Sequence, residues 1–394
     1  MPTHSAREVG HRVATARRLA RLTQQDLADA AAVSYSTVRA IERGGRRPSD
    51  HVLESLAAAL GVDPSRLLGE QNPYGSTVRD ALPAISSAIA AYDIPQDGPV
   101  RPLHELHTAA AEAESWRLAS QYLRIAQALP ELLSELSRAL HSVRTDQERD
   151  AVAGLLTSAF RSADGVAYKS GARDLSARLI DLMRWSAGRS GDPTLECVSA
   201  YVRGETFFAA HAHAVGLQAM QKAIDSAQGS DSAGSRAGRG TLHMRAAVLA
   251  ARSGDAEAAD EHTSQARRLG DSVPEGVYSG TAFGPSSVRI HEVSVAVGLG
   301  DGHLQRALDV AREWAPPRHL PAERRSAFYI ELARAQLWSG LRDDAFESLK
   351  VARRIAPQHA KEHPWVQEDI ATLRRLKRAD REDLSNFAGW CHAI

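Results

Sequence analysis

The sequence predicts an all-α protein in two parts, a small N-terminal domain of five helices and a long C-terminal array of helix pairs. Three observations carry this. Aromatic residues make up only 5% of the 394 residues and the apolar complement is rich in alanine and leucine, which favours helices over sheets. Apolar positions recur at three- and four-residue spacing almost throughout, and no stretch reads as a convincing strand. Charge is also unevenly placed. Residues 1 to 47 hold nine arginines against four acids, a local +5 in a chain of formal net charge zero. A basic head on an acidic body is the distribution expected when nucleic-acid binding is confined to one end.

The first helix runs over residues 7 to 21, with Val9, Val13, Ala16, Leu19 and Ala20 on its apolar side. Thr23 with Asp26 three residues on has capping-box spacing and opens a second helix, whose apolar face is Leu27 and Ala28. Ser34 caps a third helix that points Val38 and Ile41 inward and is closed by Gly44. Its outward side carries Tyr35, Ser36, Thr37, Arg39 and Arg43. Hydroxyls and guanidinium groups on one face suit base edges and phosphates in a major groove: Arg39 for a guanine, Arg43 and the following Arg46 and Arg47 for the backbone. Pro48 and Ser49 start a fourth helix through Leu53, Leu56, Ala57 and Leu60, and Asp63–Pro64 opens a short fifth.

The stretch from Val9 to Leu68 resembles the xenobiotic-response-element (XRE) class of helix-turn-helix repressors, the lambda- and Cro-like family. The resemblance rests on Thr23-Gln24, Leu27-Ala28, Val33-Ser34, Ile41-Glu42-Arg43-Gly44, Arg46 to Ser49, and Leu56-Ala57. It implies that Gln24 contacts DNA from the start of the second helix while Tyr35, Ser36 and Arg39 read bases. It also implies a buried ion pair between Arg17 and Glu42. Ala32 departs from the family, many members of which have glycine in that turn.

Residues 69 to 74 read as a break and residues 77 to 92 as one amphipathic helix, so residues 1–70 form the head, 71–102 a linker with one helix, and 103–394 the body. The body repeats itself. Tyr329, Leu332, Ala333, Gln336, Gly340, Ala345, Leu349, Ala352 and Pro357 fall at the spacing of a 34-residue tetratricopeptide unit, and weaker copies centre on Gly171, Gly204, Gly254 and Gly302. The stretches 228 to 239 and 269 to 287 read as irregular. The body therefore resembles a tetratricopeptide-like right-handed α-solenoid. Head and body together resemble regulators common in actinobacteria, and in outline the peptide-binding quorum-sensing regulators of Firmicutes.

In such units the first helix of each pair lines a concave groove. Mapped here, the groove residues are Arg161, Tyr168, Tyr201, Glu205, Phe208, Met244, Val248, Ile330, Arg334 and Trp338. Of these Tyr168, Tyr201, Glu205, Phe208, Met244, Arg334 and Trp338 are the candidate ligand contacts. The peptide-sensing relatives use groove asparagines, and the two asparagines here, Asn72 and Asn386, fall outside the groove. That favours a small molecule or a protein partner over a peptide.

No catalytic constellation is present. The histidines lack metal-ligand spacing: His359 and His363 stand in the order His-Ala-Lys-Glu-His, not that of a zinc protease. Cys197 and Cys391 have no CxxC neighbour. With no cofactor motif, signal peptide or membrane span, the expectation is a cytoplasmic, non-enzymatic transcriptional regulator that binds operator DNA as a homodimer and senses a ligand through its body. The alternative is an interaction scaffold or antitoxin-like adaptor whose solenoid holds a partner protein.

Overall fold

The computed structural model describes residues 6–20, 22–46, 48, 50–60, 67, 75–227, 231–300, 302–376, 382–391 and 393. The chain forms two compact units, 1–77 and 78–394. Arg21, Arg47, Ser49, Asp63, Pro64 and the 69–74 break lie outside the described residues.

The first unit contains α1 (Ala6–Leu19), α2 (Gln24–Ala30), α3 (Tyr35–Glu42) and α4 (Asp50–Leu60), and Leu67, where a fifth helix is expected, is helical and buried. Val9, Val13, Leu27, Ala28, Val38, Ile41, Leu53 and Leu56 form its core. Gly10 is where α1 meets α3: a Cβ there would lie 2.0 Å from the Ile41 carbonyl oxygen. Thr23 forms the capping box with Asp26, and Ser34 caps α3 through the Thr37 N–H. Between α2 and α3 the chain turns at Ala32, whose φ is +52°. The Val33 N–H then reaches back to the Ala28 carbonyl at 2.9 Å, the six-to-one bond of a Schellman motif.

The same turn punctuates the second unit. Its helices are α5 (Gly75–Ala90), α6 (Leu103–Leu118), α7 (Tyr122–Ser142), α8 (Asp146–Lys169), α9 (Arg173–Ala187), α10 (Pro193–Ala209), α11 (His213–Ser226), α12 (Ala233–Arg252) and α13 (Ala256–Asp271). Beyond a hairpin come α14 (Pro285–Leu299), α15 (Leu304–Glu313), α16 (Ala322–Trp338), α17 (Arg342–Ile355), α18 (Pro357–Glu362), α19 (Pro364–Leu376) and α20 (Glu382–Cys391). Five pairs, α6–α7, α8–α9, α10–α11, α12–α13 and α16–α17, are joined by one left-handed residue each: Ser120, Gly171, His211, Gly254 and Gly340, with φ of +57°, +76°, +53°, +81° and +81°. Each is followed by a six-to-one bond, from Gln121 to Trp116, Ala172 to Ala167, Ala212 to Phe207, Asp255 to Ala250 and Leu341 to Gln336. This is the geometry of a helical solenoid-like array on an all-α chain, as the repeat spacing predicts.

Three features differ from the sequence expectation, the first being that α12 begins at Ala233, inside the stretch 228 to 239 that reads as irregular. The helix expected within the 71–102 linker packs as part of the body, because Val78, Ile85 and Ile89 of α5 join the hydrophobic cluster of α6–α13. The 269–287 stretch contains an antiparallel hairpin, β1 (Gly276–Tyr278) and β2 (Thr281–Phe283), with Tyr278 opposite Thr281. Its two-residue tip, Ser279–Gly280, has φ of +45° and +74°, the two positive values that a type I′ turn demands. Phe283 anchors the hairpin in a pocket that Gly240 of α12 leaves open, since a Cβ there would sit 1.9 Å from the ring.

Candidate functional site

On α3 the inward Val38 and Ile41 are fully buried, while Tyr35, Ser36, Arg39 and Arg43 are exposed, as is Arg46 beyond the helix. Arg39, Arg43 and Arg46 form no ion pair with a carboxylate among the described residues, so their charge is available to a polyanion. Ser36 and Thr37 are tied into the cap, their hydroxyls 2.9 and 2.8 Å from Ser34 Oγ, and Thr37 is half-buried. Arg47 lies outside the described residues.

Behind this face sits the pair that the family resemblance implies. Arg17 Nε and Nη2 donate to the two Glu42 oxygens at 2.7 and 3.0 Å, and Arg17 Nη1 donates to the Leu22 carbonyl at 2.8 Å. Gln24 Nε2 donates to Glu42 at 2.6 Å, and Gln24 Oε1 accepts from the Tyr35 hydroxyl at 3.5 Å. The Gln24 side chain is therefore held against Glu42 and Tyr35 in the chain on its own. Burial works to raise the Glu42 carboxyl, yet hydrogen bonds from Arg17 and Gln24 outweigh it and hold it below the ordinary glutamate value.

In the second unit the first helices of the pairs turn one face each toward a shared cavity of about 210 Å3. The facing positions recur at three, four and seven residues: Arg161, Gly165 and Tyr168 on α8, Tyr201, Glu205 and Phe208 on α10, Arg245, Val248 and Arg252 on α12. Ile290, His291 and Ser294 of α14 and Glu323, Arg324, Ala327 and Glu331 of α16 continue the wall, and Arg117, His359 and His363 complete it. Contacts far apart in sequence cross the cavity. Arg324 Nη2 donates to the Tyr201 hydroxyl at 2.8 Å, and Lys169 Nζ lies 3.2 Å from His359 Nε2. Arg117 Nη2 and Arg161 Nη1 grip the hairpin tip through the Gly280 and Ser279 carbonyls at 2.7 and 3.0 Å. Close approach is made possible by Gly204, where a Cβ would stand 2.6 Å from the Arg245 stem.

The electrostatics are one-sided. Burial would raise the Tyr201 phenol, but Arg245 and Arg324 outweigh it and hold it below its ordinary value. Burial, then the Arg117 charge, lowers Arg161 to about 9, still charged at neutral pH. Burial with nearby Arg324 lowers His291 to about 3, and burial with nearby Lys169 keeps His359 neutral.

Four of the seven expected ligand contacts, Tyr168, Tyr201, Glu205 and Phe208, line this cavity. Three do not. Met244 points away, into a buried cluster with Phe283 and Val288. Arg334 is locked into the structure, bonded to Asp369 at 2.8 Å and Glu368 at 2.7 Å and stacked 4.2 Å from the Trp365 ring. Trp338 ends α16 with its side chain 51% exposed, away from the cavity. The residues sequence reasoning missed are the cations Arg117, Lys169, Arg245, Arg252 and Arg324. Arg245 and Arg252 are seven apart on α12, flanking the expected Val248, and that spacing is the signal for them.

The fold and this face define a class: an XRE-type helix-turn-helix domain followed by a helical solenoid-like unit. Residues 13–67 match the Helix-turn-helix family. The immunity repressor protein of Bacillus phage phi105 is 41% identical over 63 residues, which are 16% of this chain and 44% of the repressor, so the chain spans under half the length of that relative. Among solved structures, Bacillus thuringiensis PlcR in complex with the peptide PapR7 and DNA aligns over 67% of this chain and 95% of its own, at 15% identity and a TM-score of 0.29. The apo form of the competence regulator ComR from Streptococcus vestibularis aligns over 92% and 98%, at 13% identity and a TM-score of 0.30. Among the described residues no helix is long and apolar enough to cross a membrane.

Proposed function

We propose that this chain is a sequence-specific, DNA-binding transcriptional regulator, not an enzyme, which binds operator DNA in the cytoplasm as a homodimer. The observation that carries the reading is α3: its buried face is Val38 and Ile41, and its free face presents Tyr35, Ser36, Arg39 and Arg43, with no carboxylate partner for either arginine among the described residues. Arg39 reads a guanine edge, and Arg43 and Arg46 hold phosphates. One such domain has limited affinity, so two copies occupy half-sites about 34 Å apart, one helical turn. The cavity of the second unit holds a regulatory ligand. Such a ligand acts only through its differential affinity for the bound and unbound arrangements, and a hundredfold change in DNA affinity requires about 2.7 kcal/mol.

Selection of bound duplexes from a random DNA pool tests the proposal. The expected product is a pseudo-palindrome with half-sites about one turn apart. A pool that binds in low salt but enriches no motif would leave only non-specific phosphate binding and refute it.

A further inference from the structure

We propose that the cavity of the second unit is a binding site for a compact small-molecule oxyanion bearing at least two phosphate or carboxylate groups. This deepens the regulatory reading above and rests on it for the occupant's role.

The cavity carries an imbalance of charge. Six cations face the cavity, Arg117, Arg161, Lys169, Arg245, Arg252 and Arg324, against four carboxyls. Of these, burial and the Glu205 charge raise the Asp164 carboxyl well above its ordinary value, and burial pushes Glu331 up to about 7, so neither supplies a full counter-charge at neutral pH. Glu205 and Glu323 remain, and each already faces a cation, Arg245 at 3.9 Å and Lys169 at 3.6 Å. Arg117, Arg161, Arg252 and Arg324 have no ion pair among the described residues. Their hydrogen-bond and ring partners are neutral: two carbonyls, a phenol, and for Arg252 the rings of Phe208 and Trp365 at 4.5 and 5.2 Å, while Glu323 attracts Arg324 and Glu331 attracts Arg252 without pairing with either. Arg117 is only 7% exposed. Its Nε and that of Arg245 are buried donors without an acceptor among the described residues.

Burying guanidinium groups with too little counter-charge is costly, and at Arg161 and Arg252 burial outweighs the attractions around them. A bound oxyanion supplies the missing charge, and planar guanidinium forks match phosphate and carboxylate oxygens. The apolar faces of Phe208, Val248 and Ile290 leave room for a short carbon frame. The volume of about 210 Å3 falls below the roughly 300–1,000 Å3 of drug-sized pockets, which favours a compact occupant.

The test is calorimetric titration of the full chain with pyrophosphate and with citrate, against sodium chloride at matched ionic strength. One saturable site per chain is expected for at least one probe, weakened at least tenfold in Arg252→Gln and in Arg324→Gln and unchanged in the exposed Arg149→Gln. Arg252→Gln removes no hydrogen bond, so it keeps the test valid if Arg324→Gln disturbs the fold. Binding of pyrophosphate alone assigns a phosphate ligand, and binding of citrate alone assigns a carboxylate. Absence of saturable binding by both probes, or binding indifferent to both cavity substitutions, overturns the site. Operator affinity measured on the same samples keeps the two readings apart: anion binding without any change in operator affinity removes the regulatory role and leaves the site standing.

Discussion

Replacing Glu42 by alanine should unfasten the N-terminal unit. The substitution removes three hydrogen bonds at once, two from Arg17 and one from Gln24. It leaves the Arg17 guanidinium with the Leu22 carbonyl as its remaining acceptor. Breaking a buried pair by deleting one partner costs about 3–5 kcal/mol. Here the two side chains are 12% and 6% exposed, so solvent softens the loss and about 2–4 kcal/mol is expected. Amide exchange in the full chain reads this directly: amides of α3 should exchange roughly thirty to several hundred times faster, at 1.4 kcal/mol per decade. Peptides from 103–376 should be unaffected, since they belong to the other unit. Acidification supplies an internal check. The Glu42 carboxyl is depressed in the folded state, so its contribution is complete above the ordinary glutamate value and is lost as pH falls through the folded value. The gap between the parent and Glu42→Ala should therefore close on acidification below about pH 4. Exchange within tenfold of the parent at neutral pH, or a gap that ignores acid, would show that the pair does not hold α1 to α3.

Arg39→Ala should cost roughly 1–3 kcal/mol on the selected operator and relax preference at one base pair, whereas Arg46→Ala should weaken all duplexes alike and reduce the salt slope by about one, both readable by filter binding at several salt concentrations. Ala32→Gly should stabilise the first unit by roughly 0.5–1 kcal/mol, because it relieves a left-handed alanine at the cost of a freer unfolded chain; calorimetry showing destabilisation would mean that the Ala32 methyl is needed in the turn. Between the ordinary glutamate value and about 7 the folded body keeps a Glu331 proton that the unfolded chain has lost, so body stability should fall as pH rises through that window. Glu331→Gln should remove that slope and leave the body more stable above pH 7 by on the order of 1 kcal/mol in urea titrations at pH 5 and 8.

What was legible in the sequence is what local chemistry dictates. Thr23, Ser34 and Gly44 mark helix ends whatever surrounds them, and Gly171, Gly254 and Gly340 mark left-handed turns. The turns at Ser120 and His211 have the same geometry without the glycine, so only the spacing of neighbouring repeats points to them. The hairpin has three residues per strand, too few for alternation to register, and Ser279–Gly280 is its one local signal. Arg117 and Arg324 were illegible for a different reason. A charge on a helix reads as a solvated face, and these two become interior only because helices far apart in sequence close over them. Conversely, Trp338 falls at a groove position of the repeat yet sits where the array leaves it exposed, and Arg334 is claimed by Asp369 thirty-five residues on.

The bonds between residues far apart in sequence also change what kind of object the body is. A plain repeat array has neighbours only along its own axis and can fray from either end. Here Arg117 to Gly280 spans 163 residues, Lys169 to His359 190, and the Leu123 N–H to Gln358 235. Those links turn a spring into a hoop. A hoop does not fray: loosening α6 releases the hairpin tip, and loosening α18 releases α7 and α8. The body should therefore unfold in one transition, and its folding should be slow, because wide loops must close before the contacts that reward them can form. A deletion from either end of the ring would cost far more than the helix removed.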